Sequence, residues 1–172
     1  WDRTSEILEI ADGSKFSPQF IEVRLRFSPY IRDVMVVGGK QRPFVSVIVD
    51  IDYENVGKWA EKRHIPYTTF VDLSQKPEVR ELIQKEIEAV NRIVPETVRV
   101  KRFINLHKEF DPDEAELTRT RKLKRELLGS RYEELVDAIY RDEESYKVKT
   151  EVTYRDGRKG MMEAAVFINK II

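Results

Sequence analysis

The sequence predicts an α+β fold: a small mixed β-sheet with helices packed against it, plus a C-terminal β-hairpin extension. Three observations predict it. Two β-branched runs, residues 31–37 and 43–49, flank a turn that carries Gly38 and Gly39, the pattern of antiparallel neighbours joined by a hairpin. Residues 77–92 repeat apolar side chains at Val79, Leu82, Ile83, Ile87 and Val90, the period of one helix face. Two further extended runs, 146–154 and 161–168, bracket Asp156-Gly157, a hairpin signal. The order β-α-β-β-α-α-β for the chain up to residue 104 lets sheet and helices bury one another's apolar faces.

The individual elements follow from local chemistry. Residues 7–10 read as a short strand, and Asp12-Gly13 as the turn after it. Ser17-Pro18 starts a helix, with serine as the cap and proline at the first helical position. That helix is expected to run to about residue 27, with Phe20, Ile21, Leu25 and Phe27 on its apolar side, until Ser28-Pro29 stops it. After the paired strands, residues 52–63 are helical, with Val56, Trp59 and Ala60 on one face and His64 at the end. Residues 67–73 are expected as an extended link. The alternation in 98–104 predicts a strand with one wet face. A helix from about 127 to 140 places Leu127, Leu128, Tyr132, Leu135, Val136 and Ile139 on one side.

Composition narrows the function. The 172 residues suffice for one domain with a real core. Lys+Arg and Asp+Glu are equal at 31 each, so the molecule as a whole exerts no pull toward nucleic acid or anionic membrane. Without cysteine there is no disulfide framework and no thiolate nucleophile. His64 and His107 have no partner at metal-ligand spacing, so no metal site is expected, and both are expected at a helix end or on the surface. No stretch approaches bilayer-spanning length, and no secretory signal opens the chain. A start on Trp1 suggests a piece of a longer protein. The cytoplasm is the default compartment, with a membrane-peripheral place allowed for the full-length protein.

The densest chemistry lies in Leu117-Thr118-Arg119-Thr120-Arg121-Lys122-Leu123-Lys124-Arg125. Asp111, Asp113, Glu114 and Glu116 precede this basic run, and an amphipathic helix follows it. Such a segment can carry a cation to a phosphate or carboxylate on another surface. Taken alone, it also reads as a solvated charge cluster.

The run does not stand alone. Asp2-Arg3, Asp12-Gly13-Ser14-Lys15-Phe16-Ser17-Pro18, Ile21-Glu22, residues 34–38 and the 117–125 run occur in an order that resembles the C-terminal domain of the AMP-forming acyl-CoA synthetases. Within that superfamily the chain is most similar to long-chain fatty-acid ligases, over about residues 1–140. The resemblance implies a mobile domain at 1–140 and a hairpin extension at 141–172 packed on it. It implies an acid–thiol ligase that uses ATP with Mg2+ to make an acyl adenylate, then passes the acyl group to coenzyme A. Both nucleotides would need a large N-terminal domain as partner, together with a carboxylic-acid substrate. The fragment by itself is expected to be inactive.

By this resemblance Lys122 is the adenylation lysine, bridging carboxylate and phosphate oxygens as charge develops. Asp2 and Arg3 match the interdomain hinge, where Arg3 would also reach nucleotide hydroxyls. Gly13 and Lys15 match the loop that lines the coenzyme A channel. Arg119 stands where relatives often have proline, and Glu6 near where they often have aspartate. The alternative is an RNA-binding or protein-interaction α/β domain that uses the 119–125 patch. The zero net charge and the lack of interleaved aromatics argue against nucleic acid.

Overall fold

The computed structural model describes residues 7–110, 127–141, 143–154 and 156–171. A small hairpin opens it: β1 (Leu8–Glu9) pairs antiparallel with β2 (Lys15–Phe16). Helix α1 (Pro18–Arg26) follows, with the Ser17 hydroxyl accepting the Phe20 N–H. Strands β3 (Ile31–Val37) and β4 (Val45–Ile51) form the expected antiparallel pair. Next come α2 (Tyr53–Lys62), α3 (Phe70–Gln75), α4 (Pro77–Asn91) and β5 (Val100–Asn105). After the undescribed 111–126 stretch, α5 (Glu133–Tyr140) leads to β6 (Ser145–Thr153), β7 (Lys159–Phe167) and β8 (Asn169–Lys170).

The central sheet has the order β3-β4-β5-β8. Strand β4 runs antiparallel to β3 but parallel to β5, and β8 runs antiparallel to β5. The sheet is therefore mixed, and it is covered on both faces. Val34, Val36, Val47, Val49 and Phe103 pack with Ile21 and Leu25 of α1 and Ile83 and Ile87 of α4. Met35, Ile48 and Ile104 pack with Leu135, Val136 and Ile139 of α5 and Val166 of β7. All seven positions of β4 are buried, which explains its continuous apolar run: a central strand between two covered faces has no wet side.

Four expectations need correction. Residues 67–73 do not stay extended, because α3 forms from Phe70. Thr69 Oγ1 accepts the Asp72 N–H at 3.1 Å while Asp72 Oδ2 accepts the Thr68 N–H at 2.9 Å, a reciprocal cap that satisfies donors at the helix start. The apolar side of α1 is not Phe20 and Phe27, which are 39% and 80% exposed. Pro18, Ile21, Glu22 and Leu25 face inward instead. The buried Glu22 carboxylate accepts the Val36 N–H at 3.0 Å and so ties α1 to β3. Strand β5 starts at Val100, since Val98 belongs to a 3-10 turn, and its second half, Phe103 to Asn105, is buried rather than wet. His107, expected at the surface, is also buried.

The tail does more than form a hairpin. Strands β6 and β7 pair antiparallel from Ser145↔Phe167 to Thr153↔Lys159, and the chain then returns so that Asn169 lies beside Phe103. Gln75 at the end of α3 secures this return: its amide donates to the Asn105 carbonyl at 2.7 Å and accepts the Phe167 N–H at 2.9 Å. Arg80 of α4 donates to Asn169 Oδ1 at 3.2 Å and stacks over the Phe167 ring.

Candidate functional site

Gly13 and Lys15 lie together in the turn between β1 and β2. Gly13 has φ +89°, a left-handed conformation that glycine adopts without a Cβ penalty. Asp12 Oδ1 accepts the Ser14 N–H at 2.7 Å, and the hydrogen bonds from Ser14 hold the Asp12 carboxyl below its ordinary range. The Ile10 N–H donates to the Ser14 carbonyl at 3.0 Å and closes the turn. Phe16 is buried beneath it while Lys15 is exposed. Ile7, Leu8, Glu9, Lys15, Gly39 and Lys40 line an open groove of about 420 Å³ beside this turn. A cation at the rim of a partly apolar groove suits an anionic ligand with an apolar arm.

Lys122, Asp2 and Arg3 lie outside the described residues, as do Lys124, Arg125 and the acidic stretch before the run. The structure does show what flanks the 111–126 stretch. On its N-terminal side the Phe110 N–H donates to Asp50 Oδ2 at 3.2 Å. Asp50 is buried in β4, and burial pushes its carboxyl up to about 7, against the opposing pull of the Phe110 hydrogen bond. Arg32 and Glu109 form an exposed ion pair close by, at 3.6 Å. His107, three residues before Phe110, meets the Tyr132 ring edge-on at 6.4 Å. Burial, and secondarily Lys108, pulls the His107 imidazole down to about 4, so it is neutral at pH 7.

On the C-terminal side of the stretch the described residues resume at 127 and lead into α5. Leu128, Tyr132, Leu135, Val136 and Ile139 are buried as the sequence pattern required, while Leu127, expected beside them, is half-buried. Arg102 Nη1 donates to the carbonyls of Ile139 at 2.6 Å and Arg141 at 3.2 Å, placing a cation on the negative end of the helix. The 111–126 stretch is thus bounded by two fixed points on the core. Sequence reasoning missed Asp50, which lies one residue past the strand expected at 43–49; its available signal was a carboxylate flanked by Val49 and Ile51.

Among the described residues no group of three or more His, Asp or Glu side chains is arranged to hold a metal ion. No helix among the described residues is long and apolar enough to cross a membrane.

The chain belongs to the AMP-binding enzyme C-terminal domain family, whose model matches residues 5–144. It is 30% identical over 142 residues to the long-chain-fatty-acid–CoA ligase FadD15 of Mycobacterium tuberculosis, covering 82% of this chain and 24% of that protein. It is 28% identical to the long-chain-fatty-acid–CoA ligase ACSBG2 of Rattus norvegicus, covering 80% of this chain and 23% of the relative. Among solved structures, the adenylation domain of a carboxylate reductase from Mycobacterium chelonae matches with a TM-score of 0.61 at 24% identity, over 82% of this chain and 20% of that one. The adenylation and carrier didomain of the Segniliparus rugosus carboxylic acid reductase, in complex with AMP, matches with a TM-score of 0.57 at 18% identity, over 81% of this chain and 18% of that one. The chain therefore spans about a quarter of the length of the curated relatives it matches.

Proposed function

We propose that this chain is the mobile C-terminal domain of an AMP-forming ligase that joins a long-chain or other carboxylic acid to coenzyme A. The observation that carries the reading is the family match across residues 5–144, combined with a Gly13 turn built in the left-handed conformation. In the first half-reaction the substrate carboxylate attacks the α-phosphorus of ATP, and pyrophosphate leaves. Lys122 stabilises the charge that develops on the phosphate oxygens. Its ammonium needs no proton transfer for this role, and a group on a mobile domain can enter one closed state and leave the next. In the second half-reaction the thiol of coenzyme A attacks the acyl carbonyl and AMP leaves. Gly13 and Lys15 then border the thiol's channel, with Asp2 and Arg3 at the hinge.

The division falls near residue 140, with the hairpin beyond it as an extension. A partner domain supplies the adenine, triphosphate and acyl sites. An adenylation lysine acts only where reactants are already held, and no phosphate-loop pattern occurs in these 172 residues. The isolated chain accordingly forms no measurable thioester. The test is to give ATP, a long-chain fatty acid and coenzyme A to the enzyme that carries this domain. AMP, pyrophosphate and acyl-CoA should appear in equal amounts. ADP as the nucleotide product, or robust thioester formation by the isolated chain, contradicts the reading.

A further inference from the structure

The loop between β3 and β4 touches two separate parts of the fold. On one side it meets the Gly13 turn. A Cβ on Gly38 would lie 2.8 Å from Cζ of the Phe16 ring, so glycine is required for that ring to seat. The Arg42 carbonyl accepts the Ala11 N–H at 2.8 Å. On the other side the loop meets α5. The hydroxyl of Tyr140, the last residue of that helix, lies 2.8 Å from the carbonyl oxygen of Phe44 and 3.2 Å from that of Val37. The single hydroxyl proton donates to the Phe44 carbonyl, the shorter contact, with the Val37 carbonyl beside it as a second acceptor. The Tyr140 and Phe44 rings stack with centroids 4.8 Å apart. Arg42 sits over the first ring and Arg102 over the second. Burial raises the Tyr140 phenol above its ordinary range, which keeps it a donor across the usable pH range.

We infer that Tyr140 and Gly38 are positioning residues for acyl transfer to the thiol: the loop at 38–44, clamped by Tyr140, holds the Gly13 turn in its working geometry. This rests on the reading of Gly13 given above. Neither residue reaches a reactant; each acts through the loop. The β3–β4 ladder pairs Val37 with Ser46 and sets the base of the loop; the Tyr140 hydroxyl holds the Phe44 carbonyl against that base, and through Gly38 and Arg42 the loop fixes Phe16 and Ala11 on either side of Gly13. The same contact joins the loop beside the Gly13 turn to α5.

The experiment measures the two half-reactions separately in the ligase that carries this domain: pyrophosphate exchange into ATP, and acyl transfer from supplied acyl adenylate to coenzyme A. Tyr140→Phe keeps the ring stack and removes the hydroxyl. It should slow the turnover of acyl transfer about five- to tenfold, the scale of one net hydrogen bond, and leave exchange within about twofold. Gly38→Ala should give the same split by displacing Phe16. Adding Phe16→Leu to Gly38→Ala removes the colliding ring atoms and should restore most of the lost rate. Unchanged acyl transfer in Tyr140→Phe, equal losses in both half-reactions, or no rescue by the second substitution overturns the inference. If Gly38→Ala does not fold, Tyr140→Phe decides alone. Gly13→Val separates the two levels. If it leaves acyl transfer intact, the role of Gly13 falls and the inference with it. If it slows acyl transfer while Tyr140→Phe does not, the inference alone falls.

Discussion

Asp50 shows how one residue can be nearly invisible in a sequence and still shape a domain's behaviour. It lies between Val49 and Ile51 in β4, opposite Asp33 of β3, and it accepts the Phe110 N–H from a segment 60 residues away. Its carboxyl is raised from 3.8 to about 7. The unfolded chain therefore ionises first as pH rises. Between about pH 4 and 7 the native state holds the extra proton, so the stability this group contributes is complete below that window and lost as pH climbs through it. The slope reaches at most about 1.4 kcal/mol per pH unit. Denaturant midpoints measured from pH 4 to 8 should fall more steeply in the wild-type chain than in Asp50→Asn. Parallel curves would refute the assignment. Glu22 was equally hidden: its place in a helical pattern gave no sign that its carboxylate would be buried against the Val36 amide. Gly13 was legible because an Asp-Gly pair after a short strand has few conformational options, and the structure gives it the positive φ those options require.

Elements with strong periodicity were readable, and elements set by tertiary context were not. Helix α4 repeats its apolar residues over four turns, and Val79, Ile83, Ile87 and Val90 are buried accordingly. Helix α3 is only six residues long, and its Phe70-Val71 start suggests a strand. Its signal was instead the Thr69-to-Asp72 spacing, which caps both ends of the first turn. Thr69→Ala removes that cap and should cost about 1 kcal/mol. Thermal unfolding should shift down by about 2–4 °C for a domain of this size. A larger role is excluded if the midpoint is unchanged. The wet face expected on β5 failed for a different reason. The alternation ends at Lys101-Arg102, and beyond it Phe103 packs in the cluster with Ile83 and Ile87 of α4 while Ile104 packs in the one with Leu135 of α5 and Val166 of β7. No local pattern announces that both faces of a strand's far end will be covered by elements distant in sequence.

At the scale of the molecule, the tail completes the sheet it was expected merely to border. Asn169 and Lys170 cover the side of β5 that β4 leaves open, and Asn169 donates to the Phe103 carbonyl at 3.3 Å. Arg80 and Gln75 bind that return from the helical layer. An uncovered strand edge is a template for pairing with other chains. Deleting residues 169–172 should therefore lower the thermal midpoint and promote association detectable by light scattering. A monomeric chain of unchanged midpoint would show that β8 is dispensable. Residues 31–51 and 77–92 had implied the mixed sheet and its helical layer, because a glycine-turned pair of β-branched strands and a long amphipathic helix admit few arrangements. The path from β7 back to β5 was not implied, because two paired residues carry too little pattern to specify a partner.

The functional account depends on a cation at position 122 acting where a second domain assembles the reactants. Replacing Lys122 with alanine in the complete ligase, and assaying each half-reaction separately, tests this most directly. The account predicts that pyrophosphate exchange falls by about two to three orders of magnitude, the usual effect of removing one group that stabilises transition-state charge. Acyl transfer from supplied acyl adenylate should stay within about tenfold of wild type on the same scale. Equal losses in the two half-reactions, or exchange that survives the substitution, would contradict it.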